Sequence, residues 1–231
     1  MNTKGFLDQL FKQGSALLSG SDRQAGPSAG GSSRAKDFLS GRGGAALAGG
    51  ALGLLLGSKK GRKLGGKVLT YGGLAALGVV AYKAYSNWQQ QQGSSAAAGT
   101  PQTIDRLPPA EAEQHSHAIL RALIGAAKAD GHIDEREREL IDTEIGRLTS
   151  DGNLQHWFDV ELRKPLDPAD IAKSAKTQEM AAEMYLASLL VADEQSFMEK
   201  AYLDELAQQL KLPDALKAEL EQQAKQALAA A

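Results

Sequence analysis

Residues 127–139 read "AKADGHIDERERE". An apolar helical stretch ends at Asp130, Gly131, His132 and Ile133 follow, and a charged run containing Asp134 and Glu137 begins. A calcium EF-hand loop requires oxygen ligands at loop positions 1, 3 and 5, glycine at 6 and glutamate at 12. Here glycine directly follows the first aspartate and His132 occupies the third place, which excludes that motif. The stretch reads instead as a tight loop between two helices. Upstream, Ile119, Leu120, Leu123, Ile124 and Ala127 form one apolar face at helical period; downstream, Leu140, Ile141, Ile145 and Leu148 form another.

The same punctuation continues along the chain. Pro108 and Pro109 suit the start of the first helix, and the second opens at Asp134 and stops near "SDGN" (150–153). "DPAD" (167–170) starts a short helix, with Asp167 as cap and Pro168 in its first turn. Longer helices are expected from Thr177 to about Asp193 and from Ser196 to about Lys211, and a last one from Pro213. No segment alternates with a period of two, so the C-terminal part is an all-α bundle.

Two of these helix pairs resemble each other. Placing Asp130 over Asp193 aligns "LIGAAKAD" with "LASLLVAD"; one gap later "ERELID" aligns with "EKAYLD". Each second helix opens with a cap followed three residues later by glutamate: Asp134 with Glu137, and Ser196 with Glu199. Such a glutamate bonds back to the backbone of its cap, which explains both without a ligand. Asp130 and Asp193 are harder to explain, because an aspartate at a helix C-terminus faces the negative end of the helix dipole, at a cost of about 0.3–1 kcal/mol. Either a turn hydrogen bond offsets this, or a divalent cation does, shared by carboxylates of the two units.

"AAKADGHIDERE", with its echo "VADEQSFMEKAYLDELAQQL", resembles the TerB-like (tellurite-resistance) helical domain. With the glycine-rich segment before it, the whole chain is similar to the YebE-like family of inner-membrane proteins. The resemblance implies a compact helical domain over 107–231, located at the bacterial inner membrane. It also implies a metal site of the magnesium or calcium class, with Asp130, Glu137, Asp193 and Glu199 as candidates, and an associative link to envelope, tellurite or metal stress. The second unit departs from the motif, having Glu194 where the first has Gly131 and a loop one residue shorter.

The N-terminal part has a different character. Residues 1–100 hold 12 Lys/Arg against 3 Asp/Glu, whereas residues 101–231 hold 14 against 25, so the two parts are suited to different partners. Residues 1–20 read as a short amphipathic helix, with Phe6, Leu7, Leu10, Phe11, Leu17 and Leu18 on one side and without the apolar core of a signal peptide. Residues 21–42 read as a disordered linker. Residues 43–85 contain two apolar runs, "GGAALAGGALGLLLG" and "VLTYGGLAALGVVAY", separated by "SKKGRKLGGK". Each run is shorter than the roughly 20 residues that span a bilayer core.

Gly49, Gly53, Gly57, Gly61 and Gly65 recur at every fourth position and make a smooth stripe suited to close helix pairing in lipid. A flexible Gly/Ala linker is the alternative. Lys59, Lys60, Arg62, Lys63 and Lys67 would lie at a membrane surface, each contributing about 1 kcal/mol near anionic lipid. Nucleic acid is not the expected partner, because no aromatic platform is interleaved with these charges. Residues 86–106, rich in Gln, Ser and Ala, read as a flexible linker.

The chain has no cysteine, which excludes disulfides and thiolate chemistry. His115 and His117 are two apart and point to different helix faces, His132 reads as a solvated loop residue, and His156 is expected partly packed beside Trp157 and Phe158. Trp157, Phe158, Tyr185, Phe197 and Tyr202 are read as core. No nucleophile elbow, phosphate loop or zinc-protease motif occurs, so an enzyme is not expected. The expectation is a membrane-anchored, non-enzymatic protein, with membrane lipids as partners and a divalent cation as its one candidate cofactor. The alternative is a soluble interaction module whose glycine-rich part pairs with another chain.

Overall fold

The computed structural model describes residues 2–19, 61–92, 99–129, 133, 135–192 and 196–230. Among the described residues the fold is all-α: α1 (Thr3–Ser19), α2 (Gly61–Gln91), α3 (Pro109–Lys128), α4 (Glu135–Leu148), α5 (Gly152–Arg163), α6 (Pro168–Ala172), α7 (Gln178–Val191), α8 (Phe197–Gln209) and α9 (Asp214–Ala230). Side-chain caps set several of these starts. Asp151 Oδ1 accepts from the backbone N–H of Asn153 and Leu154 at 3.0 and 3.2 Å, and Asp167 Oδ1 from Ala169 and Asp170 at 2.9 and 3.2 Å. Thr177 Oγ1 accepts from Met180 at 3.1 Å, and Ser196 Oγ from Glu199 at 3.5 Å.

The bundle is organised around α7. From Met180 to Val191 every residue is buried, as expected of a helix that is apolar all round. It packs against α3 on one side and α2 on another, with α8 and α9 completing its surround. Two contacts fix its direction relative to α3: His115 meets Glu183, and one turn and more further along both helices the Ala122 carbonyl meets Ser188. The helices therefore run parallel, and their described C-termini, Lys128 and Val191, lie at the same end of the bundle. The two similar helix–loop–helix units thus pack their first helices side by side. Their second helices diverge, α4 going to α5 and α8 to α6 and α7.

α2 belongs to the same core. Leu74, Leu77, Ala81, Ala84 and Tyr85 are buried against α1, α7 and α9. Gly73 sits within the helix at φ 54 and ψ −140, a kink only glycine accommodates without strain. Residues 86–91, expected as linker, continue the helix because glutamine is a good helix former and Trp88 is an apolar anchor, edge-on to Tyr85 at 5.2 Å between ring centroids. Further along, Thr103 and Ile104 are buried as well. Gly78 lets this turn close on α2: a β-carbon there would stand 2.6 Å from Asp105 Oδ1 and 2.9 Å from Ile104 Cγ2.

The N-terminal helix forms as expected, but the described part of its apolar face is spent inside the molecule. Phe6, Leu7, Leu10 and Phe11 are buried in contact with α2 and α3, and Phe6 meets Phe158 at 5.0 Å.

Three further expectations are corrected. The interval after "SDGN" holds α5, whose Leu154, Phe158 and Leu162 recur every fourth residue and face inward. Phe197 is 83% exposed, because it lies nine residues before the buried Leu206 and therefore on the opposite side of a helix of about 3.6 residues per turn. His156 is exposed and Trp157 only half-buried, while Phe158, Tyr185 and Tyr202 are core as expected.

Candidate functional site

The densest polar constellation is built on Arg121, on the face of α3 turned toward α5 and α6. Its Nε donates to Glu161 Oε1 at 2.8 Å, Nη1 to Ser174 Oγ at 2.8 Å and to the Asp170 carbonyl at 3.2 Å, and Nη2 to Asp170 Oδ2 at 2.6 Å. Glu161 is 5% exposed and also accepts from Lys164 Nζ at 2.7 Å. Burial works against its ionised form, but the bonds from Lys164 and Arg121 prevail and hold its carboxyl below the usual range. Lys128 reaches back to the carbonyls of Glu161 and Lys164, tying the end of α3 to the end of α5.

A second constellation lies inside the bundle. Glu183, fully buried on α7, faces His115 Nδ1 with one carboxylate oxygen and accepts from the Ile104 backbone N–H at 2.6 Å with the other. Burial raises its pKa against the opposing effect of those bonds. Deeper still, Ser188 Oγ and Tyr202 Oη both donate to the Ala122 carbonyl, at 3.1 and 3.3 Å. Burial pushes the Tyr202 phenol well up. Gly125 allows this approach, since a β-carbon there would stand 2.5 Å from both Tyr202 Oη and Ile171 Cδ1.

Beside the Arg121 network opens a groove of about 520 Å³. Its charged and polar lining includes Glu113, Gln114, His117, Arg121, Lys173 and Lys176, with Ser174 beside Arg121, Ala118 and Met180 as its apolar part and Thr3 at one edge. Both oxygens of Glu113 are engaged by the start of α1, accepting from the backbone N–H of Thr3 at 2.5 Å and of Lys4 at 3.0 Å. His117 meets Trp157 at a tilt, with 4.6 Å between ring centroids. Burial first, then the Arg121 charge, keeps its imidazole below the ordinary pKa, against the opposing pull of Glu161 and Glu113.

Of the four candidate metal ligands, Glu199 is described. It is buried in the first turn of α8, where its own N–H meets the Ser196 cap. Asp130, Asp193 and the side chain of Glu137 lie outside the described residues. Among the described residues no group of three or more His, Asp or Glu stands in metal-holding geometry. Gly49, Gly53, Gly57, Lys59 and Lys60 also lie outside, whereas Gly61, Arg62, Lys63 and Gly65 fall in the first two turns of α2. Among the described residues no helix is long and apolar enough to cross a membrane.

Arg121, Glu161, Asp170, Ser174 and Glu183 are not among the site candidates that the sequence singles out. A signal existed for two of them. Glu183 is the lone acid in "MAAEMYLASLLV", and Arg121 the lone cation in "AILRALIGAA"; a charge inside such a run implies a buried partner.

These features define a parallel-cored helical bundle in which the buried charges named above are matched by protein partners. Residues 41–224 match the family described as "Protein of unknown function (DUF533)", and the chain belongs to that family. It is 32% identical over 110 residues to the "Uncharacterized protein in ampR 5'region" of Yersinia enterocolitica, an alignment covering 48% of this chain and 79% of the relative. No solved structure matches.

Proposed function

We propose that this protein is a non-enzymatic binding module held at the bacterial inner membrane by its basic, glycine-rich segment. One observation carries the reading: α2 begins among Arg62, Lys63 and Lys67 and, beyond its kink at Gly73, enters the bundle core with Leu74, Leu77 and Tyr85. A basic segment attracted to anionic lipid would thereby hold the bundle through a helix rather than a loose tether. The non-enzymatic part of the reading is supported by the Arg121, Glu161, His115 and Glu183 contacts, which are spent on joining helices. Cell fractionation tests the membrane claim. The full chain is expected to sediment with membranes and a variant lacking residues 43–67 to stay in the supernatant; a full chain in the supernatant overturns the claim and leaves the soluble interaction module.

The resemblance to TerB-like domains and YebE-like inner-membrane proteins adds a divalent cation of the magnesium or calcium class, and through it a link to envelope, tellurite or metal stress. The parallel packing of α3 and α7 supports this part, because Asp130 and Asp193 follow in sequence from helix ends at the same end of the bundle. Asp130, Glu137, Asp193 and Glu199 would supply the hard oxygen donors such an ion prefers. Calorimetry on the full chain with magnesium, calcium, manganese and zinc is the test. No heat, or heat unchanged in Asp130→Ala and Asp193→Ala, leaves only capping and turn chemistry at these positions.

A further inference from the structure

We propose that the groove between α3 and the 173–176 segment binds a phosphate monoester, with Lys173, Lys176, Arg121 and Ser174 as its donors. Four observations carry this. The groove brings Arg121, Lys173 and Lys176 together in its lining, in a half of the chain where acids outnumber bases 25 to 14. Its one lining carboxylate, Glu113, has both oxygens occupied by the N-terminal N–H groups of α1, whose partial positive charge offsets it. Arg121 commits four of its five N–H donors to Glu161, Asp170 and Ser174, which fixes the guanidinium plane and leaves one Nη2 hydrogen. Ser174 Oγ accepts from that guanidinium at 2.8 Å, so its own hydroxyl proton is left to donate.

Lys176 has no ion-pair partner among the described residues, and Lys173 holds Asp170 only at 3.4 Å. These two lysines also line a neighbouring groove of about 580 Å³, together with Lys211 and with no carboxylate in its lining. The volume of about 520 Å³ accommodates a phosphate with a small apolar substituent, for which Ala118 and Met180 provide the contact. The phosphate could come from a soluble metabolite or a lipid headgroup; the chemistry is shared.

The test follows the His117 imidazole by NMR in the full chain, assigned with His117→Gln. At constant ionic strength, inorganic phosphate is expected to shift this resonance saturably and to raise the titration midpoint of His117. The double variant Lys173→Ala/Lys176→Ala, altered only at exposed positions, is expected to keep its unfolding midpoint and to lose about tenfold in affinity; Lys176→Glu provides a second, independent charge change. A parallel titration uses phosphatidylcholine vesicles with and without phosphatidic acid. Saturation by free phosphate identifies a soluble source, and a lysine-dependent response to phosphatidic acid alone identifies a lipid source. The absence of a saturable His117 shift with either probe overturns the proposal, as does an affinity unchanged in both lysine variants. Because the readout is His117 and not sedimentation, failure of the membrane claim leaves this result intact.

Discussion

Arg121 shows how a single side chain fixes the relation of three helices. Replacing it with alanine leaves the Glu161 carboxylate buried, with Lys164 as its remaining cation, and the expected loss is about 3 kcal/mol, the lower end for a buried pair broken on one side. Urea unfolding measures it. The pH dependence gives a second check. Glu161 is held below its ordinary pKa in the folded state, so its contribution is present above the unfolded value of about 4.3 and is lost as pH falls through the lower folded value. Arg121→Ala is therefore expected to lose less stability between pH 5 and more acidic conditions than the parent does, by roughly the Arg121 share of that shift.

Gly125 carries the complementary lesson about space. Its absent β-carbon is what lets Ile171 and Tyr202 reach α3, and Tyr202 cannot simply swing away while its hydroxyl bonds the Ala122 carbonyl. Gly125→Ala is expected to destabilise by about 1–3 kcal/mol through overpacking, despite alanine's better helix propensity. An unchanged or raised unfolding midpoint would mean that α6 and α8 yield more readily than these contacts imply.

At the scale of elements, α2 is the piece whose role changes most between pattern and packing. Its kink at Gly73 combines a positive φ with an extended ψ, a region that costs other residues about 1–3 kcal/mol. The β-carbon of Phe11 lies 3.6 Å from where a Gly73 side chain would begin, so space is available and the penalty is one of backbone conformation. Gly73→Ala is expected to lose stability in that range, or to straighten α2 and lift α1; amide exchange in α1 separates the two outcomes. α1 itself illustrates why amphipathicity does not name a partner. Phe6, Leu7, Leu10 and Phe11 suit a lipid surface and a protein groove equally, since the hydrophobic effect is non-directional. Here they are buried against α2 and α3.

At the scale of the molecule, the helices after residue 107 are completed by one that precedes them. α2 covers α7 and α9, with Asn87 Nδ2 donating to Glu219 Oε1 at 2.7 Å and Tyr85 Oη to Gln178 Oε1 at 3.1 Å. A fragment of residues 107–231 is therefore expected to lack the apolar cover that Leu74, Leu77 and Tyr85 give it, worth on the order of 5 kcal/mol, a large part of a domain's total stability. Its lower unfolding midpoint and its binding of a hydrophobic dye would show this. A fragment as stable as the full chain would show instead that α2 docks without contributing. Experiments on cation or phosphate binding consequently belong on the full chain.

Periodicity alone determined the helical class, most of the helices after Pro108 and the likeness of the two helix–loop–helix units, because caps and a 3.6-residue apolar period are local properties of the chain. The helix at 152–163 carries the same local evidence, Asp151 as cap and Leu154, Phe158 and Leu162 in register, but its shortness between a turn signal and a loop with two prolines masks the period. The rest was decided by tertiary structure. The union of α2 with the bundle, the parallel packing of α3 and α7, the occupancy of Glu113 by the start of α1 and the groove beside Arg121 depend on residues tens to more than a hundred positions apart. An apolar face or a buried charge declares that it needs a partner; which partner it finds is set by how all the helices fill space together.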